Sequence, residues 1–231
     1  MNAKRGFVPD DERYFSETSL ETLRTASHHV RYLINEGYDL KQASTFVGNH
    51  FLLSERQRLA IARSLATDEQ LKTRREKERT FPSGGEVWID GFNTIITLEV
   101  MLSGSLLFSC MDGAIRDLAA LRGTYRIIPE TAEAARTLFS VLAEMGARKV
   151  NILLDEPVSN SGRLKTLLAE AGEGIPFSLD IEIRKDVDLS LYGKENVITS
   201  DSVILDHCTS WVNLMAICLK RNGARALRVW E

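Results

Sequence analysis

The sequence predicts an α/β protein in which a small helical region precedes a mostly parallel sheet with helices on both faces. Helix-start signals recur over the first 66 or so residues, a turn-rich break follows, and short apolar runs then alternate with helical patterns. We therefore expect a helical domain over residues 1–80, a linker over 81–85 and an α/β domain over 86–231.

Helix starts in the first domain are predicted by paired polar residues. In each pair, a capping side chain stands three residues ahead of a Glu or Gln, so that the two satisfy the free amide groups of a first helical turn. The pairs are Thr18 with Glu21, Asp39 with Gln42, and Ser54 with Gln57.

Beyond the linker, alternating apolar runs and amphipathic segments predict the elements of a parallel sheet. Strands are expected at 86–90, 106–110, 149–155, 178–184, 196–200 and 225–230. Helices are expected between them at 93–102, 131–145, 163–171 and 207–221.

Composition narrows the class of protein. With 44% apolar and 26% charged residues among 231, the chain has the make-up of a globular domain, and no apolar run approaches a membrane span. The start of the chain lacks the apolar core of a secretory signal, and three cysteines without metal-ligand spacing fit a reducing cytoplasm. We expect a cytoplasmic protein that does not enter a membrane.

Acidic residues end three of the predicted strands. Asp90, Asp155 and Asp201 each follow an apolar run, and the carboxyl ends of parallel strands share one edge of a sheet. Oxygen-only ligand sets suit Mg²⁺ or Mn²⁺. These three residues are therefore the predicted catalytic metal ligands, and Asp112, which follows the 106–110 strand, is a predicted fourth ligand.

Polar residues near these acids are candidates for substrate binding. Asn93 can cap a helix or orient a ligand, and the loop after Asp155 leads into a helix whose N-terminus suits phosphate. Nearby arginines can either grip a phosphate bidentately or form surface ion pairs. The predicted substrate-binding residues are Asn93, Ser159, Asn160, Ser161, Arg116 and Arg122.

Several enzyme classes lack their sequence signatures here. The chain has no Walker A loop, GxGxxG, GxSxG or HExxH motif. This disfavours P-loop ATPases, dinucleotide oxidoreductases, serine hydrolases and zinc hydrolases.

The segments Val87–Asn93 and Val197–Asp201 resemble the first and fourth strand motifs of PIN-like nuclease domains. The whole chain is similar to a prokaryotic domain-of-unknown-function family that joins a helical N-terminal domain to a PIN-like domain. The resemblance implies a Rossmann-like sheet of order 3-2-1-4-5, with the 106–110 strand as an addition, and a Mg²⁺ or Mn²⁺ site that includes Asp90 and Asp201. It also implies a glutamate in a central helix, for which Glu99, Glu130, Glu133 and Glu144 are all open.

The function expected from these features is that of a divalent-metal-dependent nuclease, with RNA as the substrate. The helical domain would clamp the substrate through Arg56, Arg58, Arg63 and the basic stretch 72–79, or would instead form a protein–protein or homo-oligomer surface. Two alternatives stay open: a non-catalytic PIN-like module that binds nucleic acid or protein, and a phosphohydrolase of small molecules.

Overall fold

The computed structural model describes residues 4–81, 84–121 and 123–231, so Arg122 and part of the 81–85 linker lie outside the described residues. The N-terminal region is helical, as expected. Its helices are α1 (Asp11–Tyr14), α2 (Glu17–Asn35), α3 (Leu40–His50), α4 (Glu55–Ser64) and α5 (Asp68–Lys77).

Side-chain caps set the starts of these helices. The predicted caps Asp39 of α3 and Ser54 of α4 are confirmed, and each accepts a hydrogen bond from the third helical amide. The predicted cap Thr18 is wrong, because the Ser16 hydroxyl accepts from a first-turn amide and starts α2 two residues earlier. Thr67, which was not among the predicted caps, starts α5: its hydroxyl accepts from the Gln70 amide, and its own amide donates to Gln70 Oε1.

The second region is a mixed α/β unit built on a four-stranded parallel sheet. Its elements are β1 (Glu86–Asp90), α6 (Gly91–Leu102), β2 (Leu107–Ser109), β3 (Ile115–Asp117), α7 (Pro129–Glu144), β4 (Lys149–Asp155), α8 (Ser161–Ala171), β5 (Ser178–Arg184), α9 (Val187–Leu191), β6 (Val197–Ile198), α10 (Ser202–His207) and α11 (Leu214–Arg221). The sheet order is β5-β4-β1-β6, and every neighbouring pair is parallel. The carboxyl ends of all four strands therefore lie at one edge.

The expected five-strand order is wrong at its last position. With β1, β4, β5 and β6 counted as strands 1 to 4, the observed order β5-β4-β1-β6 is the expected 3-2-1-4. However, residues 225–230 contain no strand, and Leu227 forms only an isolated bridge to Phe108. This segment is held elsewhere, because Val229 is buried among the N-terminal helices and its carbonyl accepts from Ser27 Oγ at 2.7 Å. The predicted 106–110 strand belongs to the β2–β3 antiparallel hairpin, which is separate from the main sheet.

The expected helix over 207–221 is also wrong, since α10 ends at His207 and α11 begins at Leu214. Trp211 lies between them and is buried, with its indole N–H donating to the carbonyl of Arg74 at 2.8 Å. Burying this ring in the extended segment separates the two helices.

Three apolar cores organise the described residues. The largest surrounds the main sheet, and the smallest packs α9 and α10 with Trp211 against the strands. The third joins the N-terminal helices to residues of the second region, and these are Phe108, Cys110, Met111, Leu118 and Val229. The two regions are thus packed together through shared apolar contacts.

Within the described ranges, no helix has both the length and the apolar character needed to cross a bilayer.

Candidate metal centre

Asp90 lies at the junction between β1 and α6, where the helix starts close against the neighbouring strand. A Cβ atom on Gly91 would be 2.6 Å from Leu154 Cδ2 and 2.8 Å from the Leu153 carbonyl oxygen of β4. Only glycine allows this close approach without a shift of the strand or the helix. The turn keeps the Asp90 side chain at the edge where the strands end.

The Asp90 carboxylate is buried and sparsely hydrogen-bonded. It is 6% exposed, one oxygen accepts from Thr199 Oγ1 at 2.8 Å, and the other accepts from the Asn93 amide at 3.4 Å. Burial, together with the nearby charges of Asp201 and Asp155, raises the pKa of Asp90 to about 8. At neutral pH this carboxyl group is therefore largely protonated unless a cation compensates its charge.

The structure brings the other two predicted ligands to the same edge. Asp155 ends β4, next to β1 in the sheet. Asp201 follows β6 and caps α10, accepting from the Val203 amide at 2.7 Å and the Ile204 amide at 3.3 Å. Both residues are close enough for their charges to oppose the ionisation of Asp90.

A fourth acid, Asp188, which was not among the predicted ligands, completes this group. It lies in the first turn of α9, directly after β5, so it stands at the same edge as the other strand-end acids. Burial and the charge of Asp201 raise the pKa of Asp188, and burial and the charge of Asp188 raise the pKa of Asp155. Asp155 is the last residue of its strand, whereas Asp188 lies four residues beyond the end of β5 and inside α9, so an acid at the end of an apolar run does not identify it.

We refer to Asp90, Asp155, Asp188 and Asp201 as the carboxylate cluster. Among the described residues, none of the four forms an ion pair with a lysine, arginine or histidine. Their all-oxygen donor set fits a hard divalent cation. However, no three Asp, Glu, His or Cys side chains of the described chain are already arranged to hold a metal ion, so these carboxylates would have to move closer together to bind one.

Asp112 is placed elsewhere, which corrects its expected role as a fourth ligand. It is 2% exposed, and one of its oxygens accepts from Arg74 Nη1 at 2.8 Å and from Arg116 Nη2 at 2.6 Å. Although burial acts in the opposite direction, the two guanidinium groups hold the pKa of Asp112 below its ordinary value. Its charge is already compensated, so Asp112 is a structural anchor.

Two predicted substrate-binding residues instead support the backbone beside Asp201. Arg116 is buried, and its Nε donates to the Ser200 carbonyl oxygen at 2.6 Å. Asn93 Oδ1 accepts from both the amide and the hydroxyl of Ser200 at 2.8 Å. Together they fix the loop from which Asp201 projects.

The predicted phosphate contacts after Asp155 are engaged with the chain itself. Ser159 Oγ accepts from the Tyr125 amide at 2.9 Å, and Asn160 Nδ2 donates to the Tyr125 carbonyl oxygen at 2.7 Å. Asn160 has a left-handed backbone and precedes α8, which begins at Ser161. These side chains hold the 123–128 segment in place. Ser159 and Asn160 therefore stabilise this segment through their contacts with Tyr125.

Of the glutamates left open for the central helix, Glu99 is the fully buried one. It lies on α6, where it accepts hydrogen bonds from Tyr125, Thr131 and Arg5, and burial raises its pKa. It binds the N-terminal segment to the second region and is not among the residues that oppose the ionisation of Asp90.

A cavity of about 290 Å³ adjoins the carboxylate cluster between α4–α5 and the start of α10. Asp201 lines it on one side. Its other polar walls come from both regions of the chain and include Arg63, Gln70, Arg74, Asn93, Arg116, Ser200, Ser202 and Asp206. A small ligand in this cavity would therefore contact both regions beside the acidic edge.

Comparisons with known proteins agree with this two-part arrangement without assigning an activity. Residues 82–217 match the family described as "Domain of unknown function (DUF5616)", and residues 22–77 match "Protein of unknown function (DUF434)". The chain is 34% identical over 186 residues to an uncharacterised protein of Methanocaldococcus jannaschii, covering 80% of this chain and 89% of that protein. No solved structure matches the chain.

Proposed function

The chain belongs to the DUF5616 family of domains of unknown function, and we propose from its own residues that it is a divalent-metal-dependent nuclease acting on RNA. The observation that carries the proposal is the carboxylate cluster at the carboxyl edge of a parallel sheet. Four acids lie there without a basic partner among the described residues, and such a concentration of like charge is costly unless a cation joins it.

The fold supports a PIN-like assignment within this proposal. The acid that ends β1 and the acid that follows β6 support it, and the order β5-β4-β1-β6 keeps four of the five strand positions that the sequence resemblance implies. Ligand sites of open parallel sheets lie at this edge as a rule. The absence of a fifth sheet strand among the described residues is a departure from the expected topology.

Each residue of the cluster has a definable part in the proposed chemistry. Mg²⁺ or Mn²⁺ held by these carboxylates would lower the pKa of a bound water and neutralise charge on the scissile phosphate. Thr199 orients the Asp90 carboxylate, and the first-turn amides of α10 orient that of Asp201. Asn93 and Arg116 keep the Ser200 backbone in place, so they position Asp201 without needing to contact the substrate.

The proposal is tested by incubating the protein with Mn²⁺ and labelled single-stranded RNA, duplex RNA, or p-nitrophenyl phosphate. We expect cleavage of RNA that is lost in EDTA and reduced about 10²–10³-fold by Asp90→Asn or Asp201→Asn, as for other losses of electrostatic transition-state stabilisation. Asp180→Asn, which removes an exposed acid from β5, is the matched control. Cleavage of p-nitrophenyl phosphate alone would overturn the nuclease proposal in favour of a phosphohydrolase.

A second candidate function is a PIN-like module that binds nucleic acid without cleaving it. It is favoured by one observation: within the described chain no three potential ligands are already arranged around a common ion position. RNA binding in EDTA, with no cleavage in any divalent cation, would support this candidate.

A further inference from the structure

We propose that residues 5–8, which precede α1, form a strap that controls the order of the 123–128 segment and of the turn after Asp155. The strap lies in no helix or strand and is anchored at Arg5, which is 9% exposed although it is only the fifth residue of the chain. The inference goes beyond the proposed function, because it concerns movement at the acidic edge and not the reaction performed there.

The Arg5 side chain is seated in the second region. Its Nε donates to Glu99 Oε2 at 2.8 Å, its Nη2 donates to the Arg126 carbonyl oxygen, and its guanidinium carbon lies 5.0 Å from the centroid of the Tyr125 ring. The Arg5 amide also donates to Ser103 Oγ at 3.3 Å. One residue of the strap therefore joins α6 to the segment that precedes α7.

Glu99 depends on Arg5 for its countercharge. The Glu99 carboxylate is fully buried, and its other two hydrogen-bond donors, the Tyr125 and Thr131 hydroxyls, are neutral. Its ion pair with Arg5 is the one that it forms among the described residues. A buried carboxylate without a countercharge is costly, so release of the strap would leave a site that has to take up a proton or admit water. The 123–128 segment, which is bound to this site through Tyr125, would then lose its fixed position.

Tyr125 extends the connection to the acidic edge. Its amide donates to Ser159 Oγ at 2.9 Å, and its carbonyl oxygen accepts from Asn160 Nδ2 at 2.7 Å. The Ser159 amide donates to the Gly123 carbonyl oxygen at 3.0 Å. Ser159 and Asn160 belong to the turn between Asp155, which ends β4, and α8. A shift of Tyr125 would therefore reach the turn that follows this member of the carboxylate cluster.

The strap is attached mainly by polar contacts, so it can open without unfolding a core. Arg56 of α4 donates from Nη2 to the Gly6 carbonyl oxygen at 2.7 Å, and the Val8 amide donates to Asp11 Oδ2 at 3.3 Å. Phe7 is 52% exposed, and no strap residue belongs to an apolar core of the described chain. Segments with few buried apolar contacts open at a lower free energy than the core of a protein.

The test is hydrogen–deuterium exchange of the full chain, measured by mass spectrometry without added metal or RNA. In Arg5→Gln, the amides of residues 123–128 and 156–161 should exchange at least about tenfold faster, because their closed state loses the contacts of Arg5. Arg13→Gln, which breaks an exposed pair with Asp10 near the start of the chain, is the matched control and should leave both segments unchanged.

Arg5→Gln leaves Glu99 buried without a countercharge, so a second variant guards against a general folding defect. Arg5→Gln combined with Glu99→Gln removes that charge, and both segments should still exchange faster than in the wild type, whereas the amides of β4 should not. Wild-type exchange of residues 156–161 in this double variant, or equal acceleration of β4, would overturn the strap. Failure of the nuclease proposal would leave this result unaffected, because the measurement involves no metal, RNA or cleavage.

Discussion

Asp90 is an acid whose charge the fold itself does not compensate. It is buried beside two further acids, its strongest contact is a neutral hydroxyl, and its pKa is raised to about 8. A buried structural carboxylate is ordinarily paired, as Asp112 is. The contrast between these two residues is the clearest residue-level sign of function in the chain.

The raised pKa of Asp90 predicts how stability changes with pH. Between its ordinary pKa near 3.8 and about 8, the folded chain binds a proton that the unfolded chain has released. The unfolding free energy in metal-free buffer should therefore fall as pH rises, by up to about 1.4 kcal/mol per pH unit. Asp90→Asn should remove this contribution, and urea denaturation at pH 5 and pH 8 measures it. A wild-type-to-variant difference that stays constant with pH would contradict the account.

Asp112 should behave as an anchor. Asp112→Asn leaves Arg74 and Arg116 buried without their shared counter-charge, so we expect a loss of about 3–5 kcal/mol in unfolding free energy. Asp68→Asn, which breaks an exposed pair with Arg31, should have a much smaller effect, because solvent screens that pair. Urea denaturation of both variants measures the two losses of unfolding free energy. A small loss for Asp112→Asn would contradict its role as an anchor and make Asp112 a candidate metal ligand again.

At the residue scale the sequence predicted three members of the carboxylate cluster because each ends a recognisable apolar run. It could not separate them from Asp112, which also follows an apolar run. The difference depends on Arg74, which lies 38 positions earlier in the chain and reaches Asp112 only in the folded structure.

The junction between β1 and α6 is the element that places the site. Gly91→Ala would press a methyl group against Leu154 and the Leu153 carbonyl, so it should cost about 1–3 kcal/mol of stability. Gly162→Ala in α8 is the matched control, because a Cβ there meets nothing within 4 Å. That substitution should be neutral or stabilise by up to about 1 kcal/mol. Thermal denaturation compares the two, and equal effects would show that the close approach at Gly91 is unimportant.

Elements were predictable from sequence where their determinants are local. The strands 86–90, 149–155 and 178–184 have the expected bounds, and the α3 and α4 caps formed as expected. The expected helix over 207–221 failed because Trp211 is held by a bond to Arg74, a contact 137 positions apart. The strand expected over 225–230 does not form for the same kind of reason, because the apolar side chains of this segment are buried among the N-terminal helices.

At the scale of the whole molecule, the N-terminal helices and the α/β unit share a core. Removing residues 1–85 would expose Phe108, Met111, Leu118 and Val229. Each such side chain contributes about 1.5–3 kcal/mol when buried, and a domain has only about 5–15 kcal/mol of net stability. We therefore expect the 86–231 fragment to show no cooperative urea transition. A fragment as stable as the full chain would contradict the shared core.

A calorimetric titration with Mn²⁺ measures whether the carboxylate cluster binds a divalent cation, on which the proposed function depends. The full chain should bind Mn²⁺ more tightly at pH 8 than at pH 6, because Asp90 must release its proton. Asp90→Asn should weaken binding at least about tenfold, and Asp180→Asn should leave it unchanged. No measurable binding, or equal binding by the wild type and Asp90→Asn, would contradict the account.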